Sequence, residues 1–124
     1  IVLFSSPGGN DILDEFPYED VLNNINDIIG FFQDLNPEIV ILIEQLAPGK
    51  TSFMTPELTA IFDQAVLDVE TIAQAQTNDS SQVIPVNMFE GFEDRYLADE
   101  IHYNDEGAEF IAERYYEALQ SILE

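Results

Sequence analysis

Residues 39–43 read Ile-Val-Ile-Leu-Ile, an aliphatic run with no polar side chain in it. A strand that does not alternate can expose neither face to water. It belongs in a parallel sheet with helices above and below. The flanking segments agree. Val21, Leu22, Ile25, Ile28, Ile29, Phe32 and Leu35 recur at helical spacing, with Pro17 expected at the first helical position and Asn36-Pro37 as the stop. Glu19 and Asp20 suit the positive end of that helix. On the other side, Thr55 reads as an N-cap with Pro56 at the first helical position. Leu58, Ile61, Phe62, Ala65, Val66, Val69, Ile72 and Ala73 then form a second apolar stripe.

Ile1 to Phe4 is another continuous apolar run and is expected to be a strand covered on both faces. Val83 to Val86 reads as a third short strand, and Pro85 puts it at an edge. An irregular stretch from Asn87 to Asn104 leads to a last helix over about Asp105 to Leu123, with Phe110, Ile111, Tyr115, Ala118, Leu119 and Ile122 on one face. The order β-α-β-α-β-loop-α implies a three-layer α/β/α parallel sheet. Residues 1–124 read as a single α/β domain with no internal linker. A domain rarely opens on a buried strand, so the chain reads as the later part of something longer.

The balance of 3 Lys and Arg against 25 Asp and Glu gives a net charge of −22. That excludes nucleic acid, whose phosphates need cations, and disfavours anionic membranes and polyanionic substrates. A hydrophobic share of 46% keeps the chain among globular sequences despite this charge. Absence of cysteine removes disulfides and thiolate chemistry. No apolar run approaches the ~20 residues of a membrane span. Location is left open, with a lean towards a secreted or periplasmic setting.

Sites in open parallel sheets lie beyond the carboxyl ends of the strands. Pro7 to Asp11, Glu44 to Phe53 and Asn87 to Asn104 reach that rim. Asn78 to Ser81 lies at the opposite end, which makes Ser80 and Ser81 poor nucleophiles. The single histidine, His102, sits in the last rim segment. Asp99 precedes it by three residues, close enough in a turn to accept the imidazole Nδ1–H and leave Nε2 free as a base. The same pair also fits an incidental surface turn. Gly8-Gly9-Asn10-Asp11 ends the first strand. Its glycines allow close approach of backbone, and an Asn amide there can donate to a developing oxyanion. The same residues also suit an ordinary turn.

Gly8-Gly9-Asn10-Asp11 after a strand resembles the Gly-x-Asn-Asp block of the SGNH hydrolases, the GDSL-type esterases and lipases. Asp99-Glu100-Ile101-His102 before a terminal helix resembles that family's Asp-x-x-His block. The resemblance covers the whole chain, with the blocks in the family's order. It implies a serine esterase on a flavodoxin-like α/β/α sheet that needs no cofactor. His102 would be the general base and acid, Asp99 its orienting carboxylate and Asn10 an oxyanion donor. Gly8 and Gly9 would shape the turn, and Asp11 would hold the loop. The family's nucleophilic Gly-Asp-Ser block is absent, as are its first two strands and a helix. Ser5 and Ser6 share the strand end with Asn10, and Ser52 lies on the rim with nothing local to activate it. The nucleophile is therefore expected on a missing N-terminal segment or a companion chain. The expected substrate is a neutral small-molecule or carbohydrate ester.

Two other readings compete. Asp11, Asp14, Glu15, Glu44, Asp99 and His102 could approach one rim and hold a hard cation, although a solvated acidic surface explains them as well. The chain could also be a non-catalytic acidic α/β binding or structural module. Arg95 suits a surface ion pair or a carboxylate near the site. Phe89, Phe92 and Tyr96 suit packing under the loop or a substrate pocket.

Overall fold

The computed structural model describes residues 1–123. Strand β1 (Val2–Phe4) is followed by helices α1 (Gly9–Leu13) and α2 (Tyr18–Leu35), strand β2 (Val40–Gln45), helix α3 (Pro56–Gln76), strand β3 (Gln82–Asn87), a 3-10 turn (Asp94–Tyr96) and helix α4 (Asp105–Leu123). The three strands lie side by side in chain order, all parallel. Ile41 faces Val2 on one side and Val83 on the other.

The unbroken apolarity of β2 follows from its central place. Ile41 and Ile43 point into the core formed with α2 and α3, where Val21, Ile25, Ile29, Phe62 and Val69 are buried. Leu42 points the other way, into a smaller core with Val86, Met88 and the inward face of α4 (Ile111, Tyr115, Ala118, Leu119). Two helices on one face and one on the other make the three layers. Thr55 caps α3 as expected, its hydroxyl accepting from the Leu58 N–H at 3.1 Å. β3, which carries Pro85, is an edge strand with no neighbour beyond it among the described residues.

Three local expectations need correction. β1 is covered on one face only. Val2 and Phe4 pack on the α2–α3 core, while Leu3 is 49% exposed and Ile1 58%. Leu3 lies beside Leu42 on the α4 face, but α4 leaves it uncovered. Residues 9–11, read as a turn, open the short helix α1 instead. Pro17 stands just before α2 as its N-cap, one place earlier than expected, because its extended ψ of 124° cannot continue a helix. β2 runs on through Gln45, which is paired with Asn87.

Gly8 is the hinge of the β1–α1 turn. Its φ is +74°, a conformation that costs other residues roughly 1–2 kcal/mol. An added Cβ would also collide with the Val21 Cγ1 methyl of α2. Gly8→Ala is therefore expected to destabilise the fold by about 2–4 kcal/mol, with Gly9→Ala much milder. At Gly9 the Cβ would meet only Ser6 Oγ, at 3.5 Å, and Leu46. Thermal or urea unfolding of the two variants checks this, and equal losses would contradict it.

Candidate active site

Three segments meet beyond the carboxyl ends of the strands. The β1–α1 turn brings Ser6, Gly9, Asn10 and Leu13, the segment after β2 brings Leu46 to Gly49, and the loop before α4 brings Ile101, His102 and Tyr103. Together with Phe62 they line one cleft of about 190 Å³. His102 and Asn10, 92 residues apart in sequence, thus share one small cavity.

The turn before α4 is built around Asp99. Its Oδ1 accepts the backbone N–H groups of Ile101 (2.9 Å) and His102 (2.7 Å), and its Oδ2 lies 2.8 Å from His102 Nδ1. These bonds hold the Asp99 carboxyl down at about 2, the His102 N–H contributing most, then that of Ile101, then the imidazole. An ionised carboxylate can only accept, so Nδ1 must carry the proton and neutral imidazole presents its lone pair at Nε2. Nε2 has no hydrogen-bond partner among the described residues. The His102 side chain is 74% exposed, so the ring is steered without being buried.

The loop carrying this turn is fastened to α4. Asn104 caps the helix, its Oδ1 accepting the Gly107 N–H at 2.9 Å while its Nδ2 donates to the Arg95 carbonyl at 2.7 Å. Gly107 is required here because a Cβ would strike the Tyr96 carbonyl oxygen. Phe92, Tyr96, Tyr103 and Phe110 pack ring against ring between loop and helix. Phe92 and Tyr96 thereby pack under the loop, whereas Phe89 lines a second groove beside the cleft. Arg95 forms surface ion pairs with Glu93 (2.8 Å) and Glu106 (3.1 Å) and lies over the Tyr96 ring. Such exposed pairs contribute little to stability.

Asn10, which lines the same cleft, stands in the first turn of α1. The Asp11 side chain makes no hydrogen bond among the described residues. Its carbonyl accepts the Phe16 N–H at 3.0 Å, so Asp11 holds the following turn through backbone. Ser5 is not free, since its hydroxyl donates to Glu44 at 2.9 Å. Ser6 lines the cleft with φ +49°, but its hydroxyl makes no hydrogen bond to His102 among the described residues. Ser52 does not line the cleft.

Sequence reasoning missed the role of Glu44. Read as a rim or surface acid, it is 2% exposed at the end of β2. One carboxyl oxygen accepts from Ser5 Oγ (2.9 Å) and Tyr115 Oη (2.7 Å), the other from the Ser6 N–H (2.8 Å). Glu44 thus ties the β1–α1 turn to α4. Burial first, and then the Glu44 charge, push the Tyr103 phenol up to about 12. Burial and the hydrogen bond to Glu44 raise Tyr115 as well, so both stay protonated donors at neutral pH. The hint in the sequence is a Glu directly after an aliphatic strand run. Among the described residues, no three His, Cys, Asp or Glu side chains stand close enough to hold a metal ion, so the acidic rim does not converge. No helix among the described residues is long and apolar enough to cross a membrane.

No family model and no curated protein sequence matches the chain. Two solved structures do. One is a carbohydrate esterase family 3 protein from Talaromyces cellulolyticus, at TM-score 0.77 and 18% identity, covering 98% of this chain and 56% of that one. The other is a mutant acetyl esterase with an acetate ion, at TM-score 0.77 and 20% identity, covering 91% of this chain and 54% of the other. At such identity the likeness establishes the fold. The chain has a three-stranded parallel sheet between helices, the α/β fold of part of those two structures. It spans a little over half the length of either structure.

Proposed function

We propose that this chain supplies the base and part of the oxyanion hole of a serine-type ester hydrolase, whose nucleophilic serine lies outside residues 1–124. The observation that carries the reading is the imidazole of His102, fixed through Nδ1 by Asp99 at 2.8 Å and lining the same cleft as Asn10. A steered base sharing a cleft with an amide donor is what acyl transfer needs. The fold likeness to two esterases supports it.

In this mechanism, Nε2 of His102 takes the proton of a serine hydroxyl as its oxygen bonds to the ester carbon. The carbonyl oxygen gains the negative charge and is held by the Asn10 amide. The tetrahedral carbon then expels the alcohol oxygen, which receives the proton from His102. Water repeats the sequence on the acyl-serine and releases the acid. Asp99 keeps the imidazole in the productive tautomer and offsets its charge when protonated. The strongly negative chain favours neutral substrates, in keeping with short-chain esters of small alcohols or sugars. The open edge of β1, with Ile1 and Leu3 exposed, is where a strand leading to the nucleophile would pair.

The isolated chain tests this division of labour. Residues 1–124 alone are expected to hydrolyse p-nitrophenyl acetate no faster than an equal concentration of imidazole. A polypeptide that also carries the nucleophile segment should turn it over. His102-dependent turnover by the 124 residues alone would place the nucleophile within them. In the active polypeptide, Asn10→Ala should lower kcat about 10²–10³-fold with little change in KM, because the amide engages charge that develops only in the transition state. Steady-state kinetics checks this, and a change confined to KM would remove Asn10 from the oxyanion hole.

A further inference from the structure

We propose that Leu13 is the wall that sets acyl-chain length in this site; the inference deepens the hydrolase reading above and rests on it. The ester carbon carries a carbonyl oxygen, an alcohol oxygen and the acyl chain. The carbonyl oxygen belongs at Asn10, and the alcohol oxygen must reach His102 to receive its proton. The acyl chain is left with the direction away from His102, along α1. Leu13 stands one helical turn beyond Asn10, on the same side of α1, and both residues line the cleft.

Behind Leu13 lies a separate groove of about 430 Å³ between α1, the start of α2 and the start of α3. Its walls are largely hydrocarbon, supplied by Ile12, Phe16, Phe53, Leu58 and Ile61. Leu13 borders both cavities and is half-buried between them. The cleft itself, at about 190 Å³, has room for a small acyl group beside the reacting atoms. Leu13 thus stops the chain after a few carbons and separates it from an apolar space suited to a longer one.

The test compares p-nitrophenyl acetate with p-nitrophenyl hexanoate in the polypeptide that carries the nucleophile. The wild type should prefer acetate. Leu13→Ala should raise the hexanoate-to-acetate ratio of kcat/KM about 10–100-fold, since each newly buried methylene contributes roughly a factor of four. Leu13→Phe, which fills the passage, should not raise it. Should Leu13→Ala fail to fold, Leu13→Val keeps the question open to measurement, with a rise of a few-fold expected. An unmoved ratio in a folded Ala or Val variant, or a wild type that already prefers hexanoate, overturns the role of Leu13 alone. Absence of any His102-dependent hydrolysis by the wild type overturns the hydrolase reading, and this inference with it.

Discussion

Replacing His102 with alanine is expected to lower kcat for acetate ester hydrolysis about 10⁴–10⁶-fold in the polypeptide that carries the nucleophile. His102 is the only histidine of residues 1–124, so these residues offer no second imidazole to take over. The neighbouring groups offer no substitute base. Asp99 is held at about 2 and is too weak, while Tyr103, pushed to about 12, keeps its proton. Substrate binding should change little, because the exposed ring supplies a small part of the cleft wall. Stability should hold too, since among the described residues the ring's only hydrogen bond is to a surface carboxylate. Kinetics and a melting curve on the same variant check both halves. A loss of activity that tracks a loss of fold would leave His102 a structural residue.

The second large effect is expected at Asp99. Asp99→Asn should lower kcat about 10²–10⁴-fold. The Asn carbonyl oxygen can still accept the two backbone N–H groups that shape the turn. The amide nitrogen then faces His102 Nδ1 as a donor. That contact demands a lone pair on Nδ1 and moves the ring proton to Nε2, the atom that must act as base. The variant should therefore keep the fold and lose the chemistry. The low value of Asp99 adds a pH signature. A carboxylate with a depressed folded value supports the folded turn above its unfolded value near 4. That support disappears only as the pH falls through about 2. Any acid limb in kcat/KM between pH 4 and 8 therefore comes from a group other than Asp99. Nuclear magnetic resonance titration of the Asp99 carboxyl carbon checks the value, and a midpoint near 4 would contradict the hydrogen-bonded turn.

What the sequence disclosed depended on the range of each interaction. Asp99 and His102 were legible because their contact spans three residues and a single turn closes it. The central strand was legible because burial on both faces erases alternation, and Thr55-Pro56 because a cap is local chemistry. Helix α1 was not, since its five residues open on Gly9 and are too few to show a helical period. Glu44 was the larger miss. Its partners lie 38, 39 and 71 residues away, and nothing nearby distinguishes a buried acceptor from a solvated charge. Leu3 shows the opposite limit. Its apolar run announces a need for cover, but what covers a face is decided by segments elsewhere.

The central claim is that a serine outside residues 1–124 is activated by His102. Fluorophosphonate labelling of the complete polypeptide, followed by mass spectrometry of the labelled peptide, tests it most directly. The expected result is one labelled serine in the segment that carries the nucleophile, with labelling abolished by His102→Ala. Label on Ser6 or Ser52, or labelling indifferent to His102, would contradict it.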